Sequence, residues 1–339
     1  MKSENIRNKL GGKWPLWKKL TLVGIFLIIV IPLGVGLGVG LSRAQVNDDG
    51  GNNDNNGNGG DGDGSNGDTP EDRPGDSSNR TSLWQPEVGA TWQIILLKPI
   101  ELADQKNLLP HVDIFDLDLY DNNASTFSAL KNLGKKVICY FSAGSWEDWR
   151  DDEGDFNKVD LGKALDGWPG ERWLNISSPK VRGIMKKRIK MAATKGCDAI
   201  DPDNVDGFQN DNGLSLTRND TINFVKFLAQ TAASFNMSTG LKNAGSVIPD
   251  VISDVHFSVN EQCVEYSECD IFAQFIDHDK PVFHIEYPKG TPDDVSVKTV
   301  GRICSARGKA DGSRGFSTVI KKMKLDGWVE YCDGKTFDS

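Results

Sequence analysis

Eight short apolar runs recur between Leu83 and Ser339: Trp92–Leu97, Val112–Leu119, Lys136–Phe141, Cys197–Ile200, Met237–Leu241, Phe257–Val259, Val282–Ile285 and Phe316–Ile320. Segments of helical period lie between many of them. The clearest opens at Ser178-Pro179, with Ser as cap and Pro at the first helical position, and carries Val181, Ile184, Met185 and Ile189 on one face before Gly196. A second follows Asn219-Asp220, with Ile222, Val225, Leu228 and Ala229 on a face. Strands that alternate with helices build a parallel sheet, because each crossover returns the chain to the same edge. Eight repeats in the ~250 residues usual for a closed barrel predict an α/β fold, a single (β/α)8 TIM barrel over residues 83–339. No G-x-G-x-x-G or P-loop pattern follows the first run, which disfavours a nucleotide-binding sheet.

The chain before the barrel divides into three. Leu20 to Leu41 carry no charge, and as a helix these 22 residues reach about 33 Å, enough to cross a bilayer. Lys2, Arg7, Lys9, Lys13, Lys18 and Lys19 precede the segment and only Arg43 follows closely, so residues 1–19 are expected in the cytosol and the rest outside. The expectation is a single-pass type II signal anchor over 20–41. The alternative is a cleaved signal peptide at Ser42-Arg43-Ala44, although this apolar run is longer than the ~7–15 residues usual there. Residues 42–82 are rich in Asn, Gly and Asp and bury too little to offset the entropy of ordering, so they read as a disordered linker.

An extracellular setting agrees with five N-x-[ST] sequons, at Asn79, Asn123, Asn175, Asn219 and Asn236, and with six cysteines that contain no C-x-x-C pair. Cys263 and Cys269 are one candidate disulfide, which would stiffen the loop after Glu261. Cys304 and Cys332 are a second. Cys139 and Cys197 read as free, buried thiols, and spacing alone does not fix the connectivity. The net charge of −9 disfavours nucleic acid as a partner and suits a cationic ligand.

In a barrel of this kind the chemistry lies at the carboxyl ends of the strands. Carboxylates crowd those positions here: Asp116 and Asp118 after the second run, Asp201, Asp203 and Asp206 after the fourth, Glu261 after the sixth and Glu286 after the seventh. Buried together they would repel, so a merely structural core has no reason to collect them. Asp203 and Asp206, with Asn204 between them, are also plausible helix caps or turn residues. Glu261 precedes no immediate helical pattern. Two carboxyl groups facing each other across a barrel mouth are what glycoside hydrolysis requires, one ionised and one protonated. Trp92, Tyr140, Trp146 and Trp149 suit sugar stacking, and each suits the core equally well.

The run Cys197-Asp198-Ala199-Ile200-Asp201-Pro202-Asp203-Asn204-Val205-Asp206-Gly207 resembles the fourth-strand signature of glycoside hydrolase family 114. Thr91-Trp92-Gln93, Val137 to Ser145 and Asn260-Glu261-Gln262-Cys263 resemble other stretches of the same family, over roughly residues 84–335. More narrowly, the chain resembles fungal membrane-anchored endo-α-1,4-polygalactosaminidases. The resemblance implies cleavage of α-1,4-linked galactosamine in de-N-acetylated galactosaminogalactan, by a retaining mechanism with Asp203 as nucleophile and Glu261 as acid/base. Asp201 departs from the family pattern, where many members carry Glu. The resemblance also implies a cationic galactosamine-containing polysaccharide as partner, with Trp92, Asp116, Asp118, Tyr140, Asp201, Asn204, Asp206, Asn260 and Glu286 as substrate-binding candidates. No cofactor or metal is implied, and the protein is expected to be a monomer. The competing reading is a non-catalytic barrel that binds a cationic polysaccharide at the cell surface. A metal-dependent deacetylase lacks support, since His278 and His284 share no helical face. A calcium loop at 201–212 fails because Val205 stands where a ligand is needed.

Overall fold

The computed structural model describes residues 83–102 and 108–339. The proposed membrane segment, the linker and the Asn79 sequon lie outside the described residues. No helix among the described residues is long and apolar enough to cross a membrane.

All eight apolar runs form strands. They are β1 (Trp92–Ile95), β2 (Ile114–Asp118) and β3 (Lys136–Ser142), then, after an inserted three-stranded sheet of β4 (Ser145–Glu147), β5 (Leu161–Ala164) and β6 (Glu171–Leu174), β7 (Ala199–Asp203), β8 (Ser238–Lys242), β9 (Phe257–Glu261), β10 (Val282–Glu286) and β11 (Ser317–Ile320). The eight pair in parallel, in the order β1-β2-β3-β7-β8-β9-β10-β11, and β12 (Trp328–Tyr331) and β13 (Thr336–Asp338) extend the last edge antiparallel. The insert and the two final strands were not anticipated. Helices α1 (Ala124–Asn132), α2 (Pro179–Lys195), α3 (Arg218–Ala233), α4 (Ile248–Val251), α5 (Cys263–Tyr266), α6 (Cys269–Asp277) and α7 (Val297–Ile303) fill the crossovers from β2 onward.

Local chemistry accounts for the long helices. The Ser178 hydroxyl accepts from the amide of Lys180 at 3.3 Å, Pro179 opens α2, and Gly196 closes it in the left-handed region at φ 94°. α3 begins at a capping box: Thr217 Oγ1 accepts from the Asp220 amide and Asp220 Oδ2 from the Thr217 amide. Its start is therefore Thr217, just ahead of the predicted Asn219-Asp220.

Strand residues divide by parity, as alternation of side chains demands. Trp92, Ile94, Ile114, Ile138, Ala199, Phe257, Val259, Phe283, Ile285 and Val319 form one apolar cluster inside the curl of the sheet. Their odd-even neighbours, such as Phe115, Leu117, Val137, Phe141 and Ile200, pack outward against the helices. The sheet's two ends are tied together. Trp92 Nε1 donates to Ser317 O at 2.8 Å, the Tyr331 hydroxyl to Trp92 O at 2.9 Å, and the Leu96 amide to Leu325 O at 2.8 Å. The result is an α/β fold with a curled parallel sheet, consistent with a TIM-like barrel.

Three disulfides are present, Cys139–Cys197, Cys263–Cys269 and Cys304–Cys332. Two match the expected pairs. The first corrects the reading of free thiols. β3 and β7 are hydrogen-bonded neighbours, and this brings the two Cα atoms within 6.0 Å.

Candidate active site

Parity inside the curl decides what faces the mouth. With Val259 inside, Glu261 follows on the same face; with Ala199 inside, so do Asp201 and Asp203. β8 contributes Lys242, Tyr140 follows Ile138 in the same series on β3, and Tyr287 follows Ile285 just beyond β10. These side chains meet. Lys242 is buried, and its ammonium lies 3.2 Å from Asp201 Oδ2, 3.8 Å from Asp203 Oδ2 and 3.9 Å from Glu261 Oε2. Sharing one ammonium, the two nearer oxygens of Asp203 and Glu261 lie less than about 8 Å apart, within the span of a glycosidase pair. Both side chains keep partial access to solvent, 19% and 24%.

Each carboxylate is held at both oxygens. The Tyr140 hydroxyl donates to Asp203 Oδ2 at 2.9 Å and the Asn204 amide to Oδ1 at 2.7 Å. Asn243 Nδ2 donates to Glu261 Oε2 at 3.0 Å, the Tyr287 hydroxyl donates to Oε1, and the Glu261 amide returns a bond to Asn243 Oδ1 at 2.9 Å. Burial first, then the neighbouring Asp203 or Glu261, raises both phenols well above their ordinary value, so each remains a donor.

The turns that present these groups are unusual in backbone. Asn204, Asn243, Ala244 and Gln262 take φ of 60°, 46°, 51° and 63°, in the left-handed region costly for residues other than glycine. Three strands carrying mouth residues thus leave through the same sparsely populated conformation, a pattern typical of sites that trade local strain for geometry. Gly144 allows the Asn204 turn to approach, since a Cβ there would lie 1.8 Å from Asn204 O. Asn204 itself reaches back to Ser142 Oγ and Ser145 Oγ, at 2.9 and 3.2 Å, and Ser145 Oγ donates to Glu171 Oε2 at 2.7 Å.

Electrostatics follow from crowding. Burial pushes Asp201 up to about 6, with Lys242 pulling it down and the charge of Asp203 adding to the rise. Burial and the charge of Asp203 bring Asp206 to about 6 as well. Glu171 rises to about 8, mainly by burial, with Glu147 and Asp203 adding to it. Lys242 stays charged: burial opposes its charge, but the neighbouring carboxylates, Asp201 first and then Asp203, outweigh it and raise it well above the usual lysine value.

Several expected binding residues lie elsewhere. Trp92 is 1% exposed at the amino-terminal end of β1, its ring against Phe283 at 5.0 Å, so it packs the floor of the curl rather than stacking on a ligand. Asp118 is engaged by Arg150, at 2.7 and 3.2 Å. Asn260 and Glu286 have the opposite parity to Glu261 and Tyr287 and face away from the mouth. Glu286 Oε1 accepts from the Val264 amide at 2.7 Å and meets His284 Nε2 at 2.9 Å. Asp116 is wholly buried in the interior, below the mouth. Asn204 shapes the turn. Tyr140, Asp201 and Asp206 remain with the two carboxylates. Lys242, Asn243 and Tyr287 were not among the expected site residues. Lys242 could have been found by parity, as a lysine two places after Gly240 on an otherwise buried strand. Cys263, Cys269 and His284 cluster, but the two sulfurs are bonded to each other and do not form a ligand set.

Paired carboxylates around one buried lysine, at the carboxyl end of a curled parallel sheet, have the arrangement that glycoside hydrolysis requires. The chain belongs to glycoside-hydrolase family GH114, whose sequence model matches residues 74–337. Among solved structures, Ega3 of Aspergillus fumigatus, in complex with galactosamine, is 53% identical with a TM-score of 0.69, over 74% of this chain and 98% of that one. The glycoside hydrolase domain of PelA from Pseudomonas aeruginosa is 14% identical with a TM-score of 0.53, over 69% and 95%, and shares the fold. None of the curated proteins compared matches the chain.

Proposed function

We propose that this chain is an endo-acting, retaining glycoside hydrolase that cuts α-1,4-linked galactosamine stretches of de-N-acetylated galactosaminogalactan. The observation that carries the reading is the meeting of Asp203 and Glu261 at Lys242, at 3.8 and 3.9 Å, with both carboxylates open to solvent. Asp203, aligned by Tyr140 and the Asn204 amide, attacks the anomeric carbon as the ionised nucleophile. Glu261, steadied by Asn243 and Tyr287, gives its proton to the departing glycosidic oxygen and then takes one from the water that releases the sugar. Galactosamine is favoured on charge. Asp201, Asp203 and Asp206 at or just below the mouth outnumber its single lysine, and a deacetylated sugar brings an ammonium to balance them. The similarity to Ega3, whose crystal form holds galactosamine, supports the same class of ligand.

The eight strands act as one closed (β/α)8 barrel, residues 83–339, tethered through a 42–82 linker to a type II membrane anchor at 20–41, with residues 1–19 cytosolic. The enzyme works outside the cell as a monomer, without cofactor or metal. Asn123 and Asn219 are exposed and open to glycan transfer, whereas Asn175 is half-buried and hydrogen-bonded to Asp160.

Incubation of the purified protein with partially deacetylated galactosaminogalactan, with products sized by mass spectrometry, tests the reading. Galactosamine oligomers of several lengths are expected, with fully acetylated polymer left intact. Cleavage indifferent to acetylation would overturn the substrate, and polymer binding without cleavage would favour the non-catalytic barrel.

A further inference from the structure

Directly beneath the catalytic pair lie two carboxyl groups with no ordinary explanation. Asp116 and Asp201 are both 0% exposed. Among the described residues neither oxygen of Asp116, nor Oδ1 of Asp201, has a hydrogen-bond donor, although each carboxyl lies within hydrogen-bonding reach of the other. Asp201 spends its second oxygen on Lys242, at 3.2 Å. Two ionised carboxylates in contact in a dry interior would repel strongly, and both oxygens of Asp116 would be stranded. One proton between them removes the repulsion and satisfies an oxygen on each side.

We propose that Asp116 and Asp201 share one proton and, as positioning residues, fix the ammonium of Lys242 between Asp203 and Glu261. Asp116 is the protonated partner and donates to Asp201 Oδ1. Asp201 thus carries one negative charge, directed at Lys242. The charged groups that face this cluster are Asp203 on the same strand, Lys242 from β8 and Glu261 from β9, and the Tyr140 ring from β3 lies 5.0 Å from the Lys242 nitrogen. Burial, then Asp201, holds the Asp116 carboxyl well above the usual carboxylate range, which agrees with the assignment. Lys242 then performs two tasks. It keeps Asp203 and Glu261 at fixed separation, and it offsets the repulsion between Asp201 and Asp203. The proposal rests on the catalytic reading of Asp203 and Glu261.

The test uses Asp116→Ala and Asp116→Asn in the otherwise intact protein. Ala removes the donor and lowers kcat by about a hundredfold, the scale expected when a catalytic pair is displaced by about an ångström. Asn restores a permanent donor in the same shape and recovers most of that loss. The infrared spectrum supplies a readout that does not depend on the Ala variant folding. At neutral pH the wild-type minus Asp116→Asn difference shows the carbonyl stretch of a protonated carboxylic acid. The proposal is overturned if Asn is as inactive as Ala while melting normally, if Ala turns over like the wild type, or if the infrared band is missing. Asp203→Asn is assayed beside them. Full activity in that variant would show that the catalytic reading, not the shared proton, had failed.

Discussion

Glu171→Gln should abolish a pH-dependent loss of stability that the native fold carries. Glu171 is 8% exposed, accepts from Ser145 Oγ, and sits near Glu147 and Asp203. Its carboxyl is raised from 4.5 to about 8, first by burial and then by those two charges, against the lowering effect of the Ser145 bond. The native state therefore holds a proton that the unfolded chain has released. Between the two values the native state binds more protons, so stability declines as pH rises through this window and is flat below it. At 1.36 kcal/mol per unit, the decline between pH 5 and pH 8 amounts to roughly 4 kcal/mol. Gln has the shape of the protonated acid, keeps an acceptor for Ser145 and cannot ionise. Guanidinium unfolding of both proteins at the two pH values measures the effect. The variant should match the wild type within about 1 kcal/mol at pH 5 and exceed it by roughly 4 kcal/mol at pH 8. Parallel stability profiles would refute the argument, because they would mean that Glu171 is no harder to ionise in the fold than in the open chain.

Lys242→Met leaves Asp201 buried without its counter-charge and should destabilise the protein by about 3–5 kcal/mol, read by denaturant titration, with kcat falling about a hundredfold or more. Replacing Cys139 and Cys197 together by Ser opens a loop of 58 residues and should reduce stability by about 4 kcal/mol in the same titration, with little change in KM. KM for deacetylated polymer should rise with sodium chloride while kcat holds, because salt screens the attraction between ammonium groups and an acidic mouth; a KM indifferent to salt would count against charge-based recognition.

The eight strands were legible because each apolar run is short and the runs are separated by segments of helical period. Asp203 and Glu261 were singled out because they stand just past two of those runs, in the stretches that resemble the family, and the structure brings the two side chains together at Lys242. What failed to show was the inward or outward sense of each side chain. Once Glu261 is taken as facing the mouth, strand alternation already sends Asn260 outward, and a mouth-facing Tyr287 does the same to Glu286. The error was to read strand ends as points rather than as two faces. Trp92 misled for a related reason: it stands at the amino-terminal end of its strand, away from the chemistry. Lys242 escaped notice because a search for carboxylates overlooks the cation that makes their crowding tolerable. The Cys139–Cys197 bond was hidden by distance along the chain. The three-stranded insert separates β3 from β7 in sequence, yet the sheet places them side by side. That insert was itself illegible, since strands of three or four residues leave too short an alternation to recognise.

The most direct test of the central claim is covalent trapping with a 5-fluoro-galactosaminyl fluoride, followed by peptide mapping. The account predicts one sugar per protein, attached to the Asp203 carboxylate, formed faster than it is released. Attachment to Glu261, or turnover of the reagent with no adduct while polymer cleavage continues, would contradict it.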